Sequence, residues 1–234
     1  MKHDQSKRFL ISVGGSLVVP EGGIDTDFVR RFHDCIVARV QDGYSFILVV
    51  GGGRTARNYI DAASKVHAIE NDDQDWLGIH ATRMNAHFLR TIFREWAHPR
   101  INTNPHDLED FYQAKEPIIV AGGWRPGFST DYIATVLAKY LDFKTIINLS
   151  NTDGVYEVDP RKDALAKRFD MLSWSAFRDL VGDTWSPGMS APFDPVASKL
   201  AEEEGFSVVV LNGSDIGNLE QYFLRGNFVG TTIQ

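Results

Sequence analysis

Cysteine is nearly missing from this chain: Cys35 is the single one among 234 residues. No internal disulfide can form, which fits a reducing compartment. Phe28, Phe32 and Ile36 share its helical stripe, so Cys35 reads as a core residue and not as a nucleophile. No apolar run reaches membrane-spanning length and no signal-like segment precedes the first strand, so a soluble cytoplasmic protein is the expectation. Long runs of one charge sign are also lacking. At a net charge of −7 the chain has no broad basic surface to offer nucleic acid or an anionic membrane. Any phosphate must then be held by local positive potential, from glycine turns, helix N-termini, a few Arg and Lys, or a metal ion. Repeats, low-complexity tracts and linkers are absent too. The length suits one large α/β domain or two small lobes, and residues 1–234 read as one domain.

What is present centres on Phe46 to Arg57. Five apolar residues, Phe46-Ile47-Leu48-Val49-Val50, read as a strand buried on both faces. Gly51-Gly52-Gly53 follow, then a segment with Ile60, Ala63 and His67 on one helical stripe. Strand, glycine turn and helix start form an anion site, because residues without Cβ let the backbone approach a phosphate and free N–H groups point at it. Arg57 could add a planar, permanently charged fork. For a lone glycine triplet, a tight βα turn with no ligand is the favoured reading. A second turn of the same design, Gly14-Gly15-Ser16 after the strand Arg8 to Val13, tips the reading toward a ligand.

Alternation continues along the chain. Met1 to Lys7 is polar and loose. Asp25 or Asp27 caps a helix to about Val40, ended by Gly43. A helix runs to about His67, an acidic loop covers Glu70 to Asp73, and Asp75 opens the longest helical pattern. Ile118 to Ala121 is a strand before the turn Gly122 to Gly127, Asp131 to Tyr140 is helical, and Thr145 to Leu149 is a strand. Asn151 to Pro160 is a turn-rich loop, Ser173 to Val181 a short helix, and Thr184 to Pro192 a stretch of mobile composition. Asp194-Pro195 starts a helix stopped by Gly205, and Ser207 to Leu211 with Asn218 to Leu224 complete the series. Such regularity predicts βαβ units and a mostly parallel sheet shared by both halves of the chain.

In this order the glycine turns, the Gly122 to Asp131 segment, the Asn151 to Pro160 loop and the Asp194 to Lys199 helix start resemble the amino acid kinase superfamily, specifically uridylate kinases of the archaeal type. The resemblance covers nearly the whole chain. Its most telling stretches are Val49 to Arg57, Leu77 to Ala86, Asn151 to Tyr156 and Gly230 to Ile233. It implies a three-layer α/β/α fold, with an acceptor-binding half over about 1–148 and an ATP-binding half over about 149–234. It also implies ATP and UMP as partners, Mg2+ carried by the nucleotide with no protein metal site, and a homohexamer.

Residue by residue, the resemblance implies that the acceptor phosphate lies against Gly52, Gly53 and Arg57. Asp75 would take the ribose hydroxyls, and Ser129 and Thr130 would contact the acceptor from the other side. The triphosphate would lie over Gly14, Gly15 and Ser16, with its base and ribose near Asn151, Asp153, Tyr156 and Asp159. Catalytic work would fall to Gly15, Arg57, Asp131 and Lys199. Taken singly, Asp75 could be a helix cap, Tyr156 a core aromatic, Asp153-Gly154 a turn and Ser129 to Asp131 a helix start. Two departures stand out. Ser12 occupies a position where many superfamily members carry lysine, which leaves Lys199 or Lys162 as replacement cations or as plain surface lysines. Trp124-Arg125 replaces the small or histidine-containing pair expected in that turn, which bears on the uracil preference. Beside UMP phosphorylation stand two other readings: a kinase of another small acceptor, and a non-catalytic sensor or storage member. Isopentenyl phosphate kinase is disfavoured, because the histidine expected after its glycine triplet is missing.

Overall fold

The computed structural model describes residues 7–163, 165–182, 184 and 191–234. In chain order they form β1 (Arg8–Val13), the single turn α1 (Gly15–Val18), α2 (Thr26–Gln41), β2 (Ser45–Val50), α3 (Gly53–Val66), α4 (Asn71–Ile92), α5 (Glu109–Tyr112) and β3 (Ile118–Ala121). There follow α6 (Thr130–Tyr140), β4 (Thr145–Ser150), β5 (Met171–Leu172), α7 (Trp174–Val181), α8 (Pro195–Glu203), β6 (Ser207–Asn212), α9 (Ile216–Arg225) and β7 (Gly230–Ile233).

One sheet takes all of these strands in the order β3-β2-β1-β4-β6-β7-β5. The pairs from β3 to β6 are parallel, and β7 runs antiparallel to β6. The chain builds outward from β1 to β3, then returns to place β4 on the other side of β1. That reversal opens a crevice at the C-terminal ends of β1 and β4, where open α/β sheets bind ligands.

Strand residues alternate between two apolar layers. Ile11, Val13, Leu48, Val50 and Leu149 face α2, α4 and α9 through Phe28, Phe32, Leu89 and Phe223. Leu10, Val49, Ile146 and Val210 face α6, α7 and α8 through Ile133, Leu137, Phe177 and Ala197. Both faces of the sheet are therefore covered, as the continuous apolar strands require. The fold is the three-layer α/β/α arrangement that the family resemblance implies, with the mostly parallel sheet expected from the alternation.

Most boundaries fall within a residue or two of expectation, and α2 is capped by Asp25, which accepts from the N–H groups of Asp27 and Phe28. The start of α4 differs. Helix begins at Asn71, so the acidic stretch forms its first turn and Asp75 lies inside the helix. Asp72 and Asp73 suit that place because carboxylates favour the positive end of a helix. The stretch Thr184 to Pro192 lies mostly outside the described residues, as does Met1 to Lys7 apart from Lys7 itself.

Candidate active site at the glycine edge of the sheet

Parallel register brings Val13 beside Val50 on one side and Leu149 on the other. The turns after β1 and β2 therefore leave the sheet side by side. The Gly14 N–H donates to the Leu149 carbonyl at 2.9 Å, and the Gly51 N–H to the Val13 carbonyl at 3.0 Å. A methyl group on Gly51 would stand 2.6 Å from the Gly15 nitrogen, and one on Gly15 would overlap the Gly53 nitrogen. Gly53 also has φ +60, a backbone that disfavours any L side chain. Glycine is needed here so that two turns can interlock.

The interlocked turns leave donors unspent. Among the described residues, no acceptor takes the N–H of Gly15, Ser16, Gly52 or Gly53. The last of these opens the 14-residue α3, whose N-terminal dipole adds positive potential. Four spare amides on two touching turns can hold two anions next to each other. Arg57 projects from the next turn of α3, exposed and with no ion pair among the described residues, whereas Arg54 reaches Glu21 at 3.5 Å.

A third turn, at residues 122–127, is tied to α4. Thr82 Oγ1 accepts from the Gly123 N–H at 2.7 Å, while Arg83 donates to the Gly123 and Trp124 carbonyls at 2.9 and 2.8 Å. Asp75 Oδ2 accepts from the Gly127 N–H at 2.7 Å. Burial raises the Asp75 pKa above the usual carboxylate value, against the pull of that N–H. Asn85 Nδ2 donates to the Gly51 and Gly52 carbonyls at 2.8 and 3.1 Å. Thr82, Arg83 and Asn85 were not among the expected site residues. The readable signal was Thr82 and Asn85, two polar residues on the apolar stripe of Ile79, Ala86 and Leu89. In the same turn the Arg125 guanidinium lies 4.1 Å from the centre of the Trp124 ring and 5.1 Å from that of Phe128.

Beneath the turns is a carboxylate pair. Ser12, 3% exposed, donates its hydroxyl to Asp131 Oδ1 at 2.8 Å, and Asp131 Oδ2 accepts from the Asp194 N–H at 3.2 Å. Asp131 sits in the first turn of α6, which Ser129 caps, and Asp194 caps α8 by accepting from the Ala197 N–H. Two helix N-termini thus converge on two acids. Burial and the Asp194 charge push the Asp131 pKa up to about 6, against the Ser12 hydroxyl and the Asp194 N–H. Burial also raises Asp194, which is 5% exposed and whose Oδ2 is enclosed without a hydrogen-bond partner.

The C-terminal loop shapes a separate cavity of about 240 Å³, lined by Asn151, Tyr156 and Asp159 together with Leu180, Val181 and Pro192. Asp153 is outside that lining and accepts from Asn212 Nδ2 at 2.8 Å. The Asp159 carboxylate is engaged by Arg161 at 3.0 and 3.1 Å, which pulls its pKa down. Lys162 and Lys199 are both exposed, and neither is in a described ion pair. A larger groove of about 770 Å³ opens at the opposite end of the sheet, around Arg8, Phe111 and Phe143. It touches none of the expected residues. Among the described residues no group of three or more His, Cys, Asp or Glu is placed to hold a metal ion.

The amino acid kinase family matches residues 7–212. The uridylate kinase of Methanocorpusculum labreanum is 35% identical over 232 residues, covering 97% of this chain and 95% of that protein. That of Pyrococcus abyssi is 34% identical, covering 97% of this chain and 99% of its own length. Among solved structures, the uridylate kinase of Archaeoglobus fulgidus superposes with a TM-score of 0.80 at 30% identity, covering 97% of this chain and all of that one. The UMP kinase of Bacillus anthracis shares the fold, with a TM-score of 0.76 at 22% identity.

Proposed function

The chain belongs to the amino acid kinase family, and from that premise we infer that it is a UMP kinase, transferring the γ-phosphoryl group of ATP to UMP to give UDP and ADP. The observation that carries the reading is the interlock of the Gly14–Ser16 and Gly51–Gly53 turns with their four spare amides. Phosphate-to-phosphate transfer needs two anions brought into line and their charge offset, and little else. A UMP oxygen is already ionised near neutral pH, so no general base is required.

In this reading Gly52, Gly53 and Arg57 hold the UMP phosphate. Asp75 uses its remaining oxygen for the ribose, and Ser129 and Thr130 close the acceptor side. Gly14, Gly15 and Ser16 cradle the ATP phosphates, and the cavity at Asn151 and Tyr156 takes the adenosine end. Asp153 and Asp159 border that region from positions already engaged by Asn212 and Arg161. Asp131 sets the charge beneath the transfer point, and Lys199 would reach the triphosphate from α8. Mg2+ enters this reading on the nucleotide, because the acidic oxygens beneath the turns are enclosed and largely engaged by Ser12 and by the Asp194 and Ala197 N–H groups. When bound on the triphosphate, that ion would offset phosphate charge. The exposed apolar side chains of Tyr59 and Val66 on α3 and Met84 on α4 support a homo-oligomer, proposed as a hexamer. No helix among the described residues is long and apolar enough to cross a membrane, which is compatible with the cytoplasmic location we propose.

A coupled ADP-release assay with a panel of nucleoside monophosphates and small phosphates tests this directly. UMP is expected to give the highest kcat/KM. Faster turnover of another acceptor would replace the substrate, and UMP binding without turnover would replace the enzyme with a sensor, the reading that Ser12 in the lysine position would favour.

A further inference from the structure

We propose that Asn85 is a positioning residue for the acceptor phosphate, aiming the spare amides of Gly52 and Gly53 from behind; the inference rests on the UMP kinase reading. Asn85 is 4% exposed, on the face of α4 turned toward the sheet. Its amide nitrogen donates to two successive carbonyls, Gly51 at 2.8 Å and Gly52 at 3.1 Å. No peptide bond in the described chain is cis. In a trans peptide the carbonyl of one residue and the N–H of the next point in opposite directions. Holding the Gly51 carbonyl toward α4 therefore turns the Gly52 N–H away from it, and holding the Gly52 carbonyl does the same for Gly53. These are two of the four amides that no acceptor takes among the described residues. The Gly52 carbonyl also accepts from the Ala56 N–H, at 3.4 Å, whereas among the described residues the Gly51 carbonyl has Asn85 as its one donor. A glycine run has wide backbone freedom, so without Asn85 the Gly51–Gly52 peptide plane could rotate and the next plane would keep only that long bond.

The same helix reaches the opposite wall of the acceptor site. Thr82 and Arg83 hold Gly123 and Trp124, and Asp75 holds Gly127. From Asp75 to Asn85 the helix rises ~15 Å. Thus α4 carries the phosphate turn at one point and the 122–127 turn at others, on a rod that resists bending. The spacing suits an acceptor with phosphate, ribose and base in sequence better than a single small acid. Asn85 sets the phosphate end of that gauge.

Asn85→Asp keeps the shape but removes the donor and sets a charge against two carbonyls. Asn85→Ala removes the group, and Asn85→Ser can restore one hydrogen bond. Steady-state kinetics on these three variants should show the UMP KM raised about tenfold or more in the first two, with partial recovery in the third. The ATP KM should stay within about twofold in all of them. Thr91→Ala, an exposed position on the same helix, should change neither. Equal losses for UMP and ATP, or an unchanged UMP KM in folded variants, would overturn the proposal. Calorimetric titration with UMP separates the two readings. Wild-type protein that binds UMP without turnover, with binding weakened by Asn85→Ala, would remove the kinase and leave the positioning role. Brisk wild-type turnover with unaltered variants would do the reverse. Should Asn85→Asp fail to fold, the Ser and Ala variants carry the comparison.

Discussion

Gly15 and Gly51 meet backbone to backbone, so closely that a methyl group on Gly51 would lie 2.6 Å from the Gly15 nitrogen. The contact joins the turn assigned to ATP to the turn assigned to UMP with no side chain between. Gly15→Ala forces those turns apart. It should cost about 1–3 kcal/mol of stability, as overpacking does, and should lower kcat far more than that loss of folded protein explains. Urea unfolding and the coupled assay measure the two effects. Gly22→Ala, where an added methyl meets open space, should leave both unchanged.

Variants at Arg57 and Tyr156 test the proposed division into half-sites. Arg57 is exposed and unpaired among the described residues, so Arg57→Ala should leave stability within about 0.5 kcal/mol of wild type. The UMP KM should rise about tenfold to a hundredfold, the value of a charge-assisted contact to phosphate. Tyr156→Ala should instead raise the ATP KM and spare the UMP KM. Matching losses for both nucleotides in either variant would contradict the division.

Asp131 makes stability depend on pH in an unusual direction. Its folded-state pKa is pushed up to about 6, so the folded protein keeps this proton where the unfolded chain has released it. With more protons bound when folded, the contribution of this group falls as pH rises from the ordinary carboxylate range through about 6. Asp131→Asn cannot titrate. The stability of the variant minus that of wild type should therefore climb between about pH 4 and pH 7 and flatten above. A difference that stays level across that range would show that Asp131 ionises normally. The variant should also lose activity at every pH, because the Ser12 and Asp194 contacts meet an altered group.

Cys35 is 4% exposed, and burial pushes its pKa up to about 12, helped by Glu220. Both features suppress the thiolate. The native protein should fail to react with a chromogenic disulfide reagent at about pH 8 and should release one equivalent once unfolded in guanidinium. Prompt reaction of the folded protein would place Cys35 at the surface.

Much of this architecture was legible in the chain because strand and helix periodicities were clean and punctuated by glycine. The start of α4 was misplaced because Asp75 had the look of a cap, whereas its carboxylate serves Gly127, far along the sequence. The single turn α1 and the two-residue β5 are too short for any periodicity to register. At the site, the glycine turns were readable because close backbone approach permits no other residue. The Ser12–Asp131–Asp194 cluster was not, since Ser12 and Asp131 lie 119 residues apart and only the parallel sheet brings their ends together. Asn85 was visible as part of a telling motif, yet its task depends on which carbonyls face it, and that is a property of the packed helix.

The interior position of β1, between β2 and β4, carries a consequence for biogenesis. The strand leaves the ribosome before either of its neighbours, and β2 can zip onto one side of it soon afterwards. Its other side waits for β4, through pairs such as Val13 with Leu149, so the chain through Leu149 must emerge first. During that interval the strand that anchors the first glycine turn shows a bare row of amides and carbonyls to neighbouring nascent chains. A polypeptide stopped short of Thr145 should therefore stick to itself when it is made, well before the question of binding a nucleotide arises.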